Sequence, residues 1–162
     1  MPSIDIRAAR HAVLLYALLL SSAADASTLV PLEARADLDT FYVRVGVDGA
    51  GGESYLVDTG AGYMTITNNT LARSQAAGTA TYLREMEGHL ADGRIIRVPV
   101  YRISAITIGE SCRLENVEVA VLPGASRGLF GLSALRKASP FEFSVDPPSL
   151  RLSNCDLTLA AE

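Results

Sequence analysis

The chain has 162 residues, of which 49% are hydrophobic, and it carries a formal net charge of −4 at pH 7. A chain of this length can bury one sizeable core but is short for two globular domains, so we expect a single main domain. Its Lys and Arg residues are scattered, without a basic stripe or interleaved aromatic residues, which argues against a nucleic-acid partner.

The first 26 residues have the pattern of a secretory signal peptide. Arg7 and Arg10 form a basic region, an apolar run follows from Ala12 to Leu20, and Ala24 and Ala26 suit cleavage by signal peptidase. The apolar run is shorter than the ~20 residues that a membrane-spanning helix needs, although an uncleaved anchor is the alternative. We expect cleavage after Ala26, export to the periplasm or the medium, and no membrane attachment afterwards.

After an N-terminal extension over residues 27–39, a β-hairpin leads into the most informative motif of the chain. Residues 41–47 alternate in hydrophobicity, 48–52 form a glycine-rich turn, and 54–57 return as a second strand. This strand enters Asp58-Thr59-Gly60-Ala61, which is typical of the catalytic motif of aspartic peptidases. The triplet Asp-Thr-Gly is a weak signal by itself, because Asp and Gly also favour ordinary turns.

A long, exposed hairpin is predicted between Thr81 and Ile103. Its tip contains Leu90-Ala91-Asp92-Gly93, and Asp-Gly between two strand-like arms is a strong hairpin signal. Pro99 lies in the returning arm, where it lacks a hydrogen-bond donor and therefore favours a sheet edge. A hairpin of this kind is suited to act as a mobile flap.

The rest of the mature chain is mostly β, with one or two short helices. The first helix, over residues 70–77, would be capped by Asn68 or Asn69 and ended by Gly78. The second would run from Leu132 to Ala138. The other strand-like runs are 63–67, 105–109, 114–121, 141–145 and 150–152.

Cys112 and Cys155 are the two cysteines of the chain. After export they would meet an oxidising compartment, which favours a disulfide, and two free buried thiols are the alternative. Their spacing does not match a CxxC redox or zinc motif.

The order of these elements resembles that of the retropepsin-like aspartic peptidases, in particular the bacterial exported proteins with a single Asp-Thr-Gly-Ala motif. Four features between about residues 41 and 152 carry the resemblance. They are the motif at Asp58, the hairpin at the position of the flap, the hydrophobic-hydrophobic-Gly element Leu129-Phe130-Gly131, and the short helix from Leu132 to Lys137. Gly62 is a departure, since retroviral members commonly carry an acidic residue there.

The resemblance implies a fold and a reaction. Residues 40–155 would form a retropepsin-like closed β-barrel that contributes half of an active site, followed by a tail over 156–162. Asp58 would supply one of two carboxylates that share a proton and activate a water to hydrolyse a peptide bond. The chain contains no second Asp-Thr-Gly or Asp-Ser-Gly. The partner carboxylate is therefore expected from a second copy in a symmetric homodimer.

The resemblance also implies roles for the neighbours of Asp58. Thr59 would hydrogen-bond across the dimer interface, Gly60 would let its backbone amide approach the carboxylates, and Ala61 would keep the substrate side small. The flap tip, Leu90 to Gly93, would close over an extended peptide substrate. Leu129, Phe130 and Gly131 would pack behind the active-site strand.

Other functions have less support in the sequence. His89 is the single histidine of the mature part, and no His/Cys cluster or nucleophile elbow is present, so we expect neither a serine triad nor a metal site, and no cofactor. The main alternative is a non-catalytic exported module that keeps the peptidase fold and binds a peptide or protein. A purely structural envelope protein is a third possibility.

Overall fold

The computed structural model describes residues 27–157 apart from residues 36, 38 and 91. The predicted signal peptide, the last five residues of the predicted tail and Ala91 of the predicted flap tip therefore lie outside the described residues. Strands dominate the described part. They are β1 (Thr28–Pro31), β2 (Glu33–Arg35), β3 (Thr40–Val47), β4 (Gly51–Val57), β5 (Met64–Ile66), β6 (Ala80–His89), β7 (Ile95–Ile108), β8 (Cys112–Val121), β9 (Leu129–Phe130), β10 (Phe141–Val145), β11 (Pro148–Leu152) and β12 (Asp156–Leu157). The helices are α1 (Asn68–Ala76) and α2 (Leu132–Leu135). The predicted mostly β fold with two short helices is confirmed.

The larger sheet has a ring-like topology. Its strands follow the order β12-β8-β5-β9-β4-β3-β7-β6, with β2 paired to β3, and β7 also pairs with β8. The strand pairing that starts at β8 therefore returns to β8 through β7. Successive side chains of a strand point to opposite faces of the sheet, so one face of each strand is directed into the ring. In β3, for example, Val43, Val45 and Val47 are buried while Arg44 is exposed.

Strand β7 is longer than the sequence indicated. The sequence placed a hairpin arm ending at Ile103 and a separate strand from 105, but the structure has one continuous strand over Ile95–Ile108. Pairing with β8 begins at Val100, and the residues before it pair with β6 alone. The β6–β7 hairpin therefore projects beyond the ring, and Pro99 lies in this projecting part, opposite Glu85.

Both helices differ in detail from the sequence prediction. Thr67, not Asn68 or Asn69, caps α1, because its hydroxyl oxygen accepts a hydrogen bond from the Thr70 amide at 3.1 Å. The second helix ends at Leu135, and a turn continues the chain to Ala138.

The segments at both ends of the described chain join the sheets. Strand β1 pairs with β11 in a three-stranded sheet β1-β11-β10, and β12 pairs with the start of β8. A disulfide joins Cys112 to Cys155 across a Cα–Cα distance of 4.9 Å. None of the described helices is both long and apolar enough to span a membrane.

Candidate active site

Asp58 lies directly after β4, in a position fixed by backbone hydrogen bonds. β4 runs parallel to β9, with Val57 opposite Phe130, and the Asp58 amide donates to the Phe130 carbonyl at 3.1 Å. Two residues earlier in the chain, the Leu56 amide donates to the Gly128 carbonyl at 3.2 Å. The motif thus directly follows a strand that is hydrogen-bonded to the β9 segment.

The carboxylate of Asp58 is oriented by its own loop. The Gly60 amide donates to Asp58 Oδ1 at 2.9 Å, and the Ala61 amide donates to the Asp58 carbonyl at 3.3 Å. A Cβ at Gly60 would lie 3.2 Å from the same Oδ1, so glycine permits this close approach. Asp58 is half-buried, and Thr59 and Gly60 are exposed in the single chain. A second molecule therefore has access to the motif.

Asp58 opens into a cleft of about 630 Å³ between the motif loop and the β6–β7 hairpin. The loop contributes Asp58 and residues 60–63, and the hairpin contributes residues 86–90 together with Val98. Leu122, Ala120 and Leu129 complete the apolar wall. A volume of this size accommodates several residues of an extended peptide.

The tip of the hairpin is a tight turn. The Leu90 amide donates to the Arg94 carbonyl and the Gly93 amide to the Leu90 carbonyl, each at 2.9 Å, and Gly93 adopts a φ of 84° that favours glycine. Leu90 lines the cleft, whereas Asp92 and Gly93 are exposed beyond it. Asp92 pairs with Arg94 at 2.7 Å, and the Arg94 backbone amide and guanidinium hold the pKa of the Asp92 carboxyl below its ordinary value.

The hydrophobic-Gly element supports the motif loop through direct backbone contact. A Cβ at Gly131 would lie 2.2 Å from the Tyr63 carbonyl oxygen and 2.8 Å from that of Ala61. The next residue, Leu132, donates its amide to the Ala61 carbonyl at 2.9 Å. Phe130 is fully buried in the core, while Leu129 is half-buried and faces the cleft.

The β6–β7 hairpin is tied to the motif loop through Arg84. Its guanidinium donates to the Tyr63 hydroxyl at 2.9 Å and to Glu118 Oε2 at 2.8 Å. The hydrogen bond from Arg84 holds the pKa of the Glu118 carboxyl below its ordinary value, with further contributions from the charges of Arg102 and Lys137.

A family model described as "gag-polyprotein putative aspartyl protease" matches residues 43–137, which include Asp58, the hairpin and Gly131. The chain belongs to this aspartyl protease family. The crystal structure of a retropepsin-like aspartic protease from Rickettsia conorii has a similar fold, with a TM-score of 0.52 and 19% identity over 78% of this chain and 90% of that chain. No curated protein sequence matches significantly.

This aspartyl protease chain uses several residues at the site that sequence reasoning missed. Ser133 accepts a hydrogen bond from the Met64 amide at 2.8 Å and donates one to the Glu118 carbonyl at 2.6 Å. The Thr65 hydroxyl accepts from the Leu129 amide at 2.9 Å. The Ser133–Met64 and Thr65–Leu129 contacts join segments more than 60 residues apart in the chain, so no local pattern signals them.

Besides Asp58 and Tyr63, the cleft is lined by two ionisable side chains of β6, Glu87 and His89. The sequence predicted no catalytic or metal-binding role for His89 and did not single out Glu87. In the described part of this aspartyl protease, no three His, Cys, Asp or Glu side chains come together in a way that could hold a metal ion.

Proposed function

We propose that this protein is an aspartic endopeptidase in which Asp58 from each of two chains activates the water that attacks a peptide bond. The observation that carries the proposal is the position of Asp58. Its half-buried carboxylate opens into a peptide-sized cleft beneath a projecting hairpin, in a chain of the aspartyl protease family.

The reaction follows from the repulsion between two nearby carboxylates. They cannot both ionise at low cost, so one keeps a proton and the other is charged. The charged carboxylate takes a proton from a bound water, whose oxygen attacks the scissile carbonyl carbon. The protonated carboxyl donates its proton to the carbonyl oxygen. Collapse of the tetrahedral intermediate breaks the C–N bond: the leaving nitrogen takes the proton that the first carboxylate removed from water, and the second carboxylate recovers a proton from a hydroxyl of the intermediate.

The proposed site needs two copies of the chain. Each copy has one Asp-Thr-Gly motif, and Thr59 and Gly60 are exposed beside Asp58. A two-fold axis next to this loop would bring the two Asp58 carboxylates together and cover Thr59. We expect the active species to sediment as a dimer, and an active monomer would refute this part of the proposal.

An extended peptide suits the cleft beneath the hairpin. The arms of the hairpin are strands, so their backbone groups can pair with a peptide as an additional strand when the tip closes. Export of the chain with cleavage after Ala26 would place this activity in the periplasm or the medium. The alternative function is a binding module that holds a peptide in the same cleft without cutting it.

Cleavage of an unfolded protein by the mature chain, residues 27–162, tests the proposal. We expect cleavage at acidic to neutral pH and none by Asp58→Asn, because the amide cannot serve as the base. Glu142→Gln, in the separate three-stranded sheet, removes one exposed carboxylate without touching the cleft and is expected to keep full activity. A folded, dimeric wild-type protein that does not cut would favour the binding module. Equal cleavage by wild type and Asp58→Asn would refute the role of Asp58.

A further inference from the structure

A second groove, of about 570 Å³, adjoins the cleft on the side of the motif loop. Gly62 and Tyr63 line both spaces, so the groove continues from the cleft. A Cβ at Gly62 would meet no atom within 4 Å, which leaves the junction open. We call this space the basic groove, and its charged lining residues are Arg102, Glu118, Arg136 and Lys137.

The charge of the basic groove is opposite to that of the whole chain. Arg102, Arg136 and Lys137 form no salt bridge with any described residue. The carboxylate of Glu118 is already paired with Arg84 at 2.8 Å. The groove therefore keeps three uncompensated positive charges, on a protein whose formal net charge is −4.

These charges come from three separate elements. Arg102 lies on β7, Glu118 on β8, and Arg136 and Lys137 in the turn after α2. Although they come from different elements, all four side chains line the same groove. The three cations are exposed, so a ligand lying in the groove can reach them.

We propose that the basic groove binds an acidic side chain of the peptide substrate, a few residues from the scissile bond. A strand rises about 3.3 Å per residue, so a peptide passing Asp58 and then Gly62 reaches the groove within a few residues. Arg136 and Lys137 would then pair with its Asp or Glu side chain, and Arg102 would add long-range attraction. The inference rests on the proposed function, because it takes the ligand of the cleft to be a peptide.

Peptide binding to the Asp58→Asn protein tests the inference without requiring cleavage. The probes are pools of fluorescein-labelled decapeptides with a randomised apolar centre, flanked on both sides by Glu, Gln or Lys. Binding is measured by fluorescence anisotropy at low ionic strength. We expect the Glu pool to bind roughly three- to tenfold more tightly than the Gln pool, and the Lys pool to bind most weakly.

The variants assign the preference to the groove. In the Asp58→Asn background, Arg136→Gln with Lys137→Gln is expected to bring the Glu/Gln affinity ratio close to one. Arg151→Gln removes one cation from β11, outside the groove, and should keep the ratio. The inference would be overturned if the Asp58→Asn protein bound the Glu and Gln pools equally or bound none of the pools. It would also be overturned if the two groove substitutions left the Glu/Gln affinity ratio unchanged.

The outcomes separate the inference from the proposed function. A wild-type protein that cuts no substrate, combined with the expected affinity ratio, would refute the peptidase and retain the acidic-peptide groove. A wild-type protein that cuts, combined with equal affinity for the Glu and Gln pools, would refute the groove alone.

Discussion

At the scale of single residues, the geometry around Asp58 depends on positions where no side chain fits. Gly131 packs against the carbonyl oxygens of Tyr63 and Ala61, and Gly60 against Asp58 Oδ1. The sequence identified Asp58 to Ala61 and Leu129 to Gly131, because each motif is a contiguous run. It did not find Ser133 or Thr65, whose partners become neighbours only after the chain folds.

Gly131→Ala tests this backbone contact. Its Cβ would lie 2.2 Å from the Tyr63 carbonyl oxygen, so the motif loop must shift. We expect a loss of about 1–3 kcal/mol in the free energy of unfolding, measured by urea denaturation, together with a loss of peptidase activity. Gly62→Ala is the matched control, because its Cβ meets nothing within 4 Å, and its stability should change by less than about 0.5 kcal/mol. Equal stability of Gly131→Ala and Gly62→Ala would contradict the close packing of Gly131 against the Tyr63 carbonyl.

At the scale of elements, local signals predicted most strands and the flap-like hairpin. Asp-Gly at the hairpin tip and the alternation of hydrophobicity in its arms were sufficient to predict the hairpin, because both are local signals. The continuity of β7 could not be predicted. Its first residues pair with β6 alone, and its later residues also pair with β8. No local sequence pattern indicates this change of pairing partners.

The ion pair between Arg84 and Glu118 predicts a pH-dependent attachment of the hairpin. The pKa of Glu118 is lowered from its ordinary value of 4.5, mainly by the hydrogen bond from Arg84. A lowered pKa means that the pair stabilises the folded state fully above the unfolded value, and that this contribution is lost as the pH falls through the lower folded value. We expect the pair to weaken, and the hairpin to loosen, in strongly acidic solution.

Carboxyl-detected NMR titration directly measures the pKa of Glu118 and so checks the effect of Arg84 on it. Glu118 should titrate below 4.5 in the wild-type protein and move towards that value in Arg84→Gln. Arg97→Gln removes a cation from the outer part of the same hairpin, where its partner is Glu85, and should leave the Glu118 midpoint in place. A Glu118 midpoint that Arg84→Gln does not move would refute the assignment.

The disulfide joins the start of β8 to the segment before β12. It closes a sequence separation of 43 residues, which restricts the unfolded chain. Reduction is expected to lower the free energy of unfolding by about 2–4 kcal/mol, measured by urea denaturation with and without dithiothreitol. Cys112→Ala with Cys155→Ala should show the lower value and no response to reductant. A wild-type protein insensitive to reductant would argue that the thiols are not bonded.

At the scale of the whole molecule, the ring depends on pairings between distant segments. The sequence predicted hairpins between neighbouring strands, but it did not predict the parallel pairs β4–β9 and β5–β8, which join segments far apart in the chain. The extension over residues 27–39 showed no strand pattern that stood out, yet β1 completes a sheet with β11, because extended chain ends can fill open edges.

The central claim concerns the whole assembly, since each chain would supply half of the catalytic pair. A mixing experiment tests it most directly. Wild-type and Asp58→Asn chains are combined in equal amounts, dissociated and reassociated at constant total concentration, and the initial rate of cleavage of one peptide is measured. If a dimer with one Asp58 is inactive, random association leaves about a quarter of the dimers active. The predicted rate is therefore about a quarter of the pure wild-type rate. A rate of about half would mean that each chain works alone, with a second carboxylate such as Glu87 in the same cleft, and would contradict the shared site.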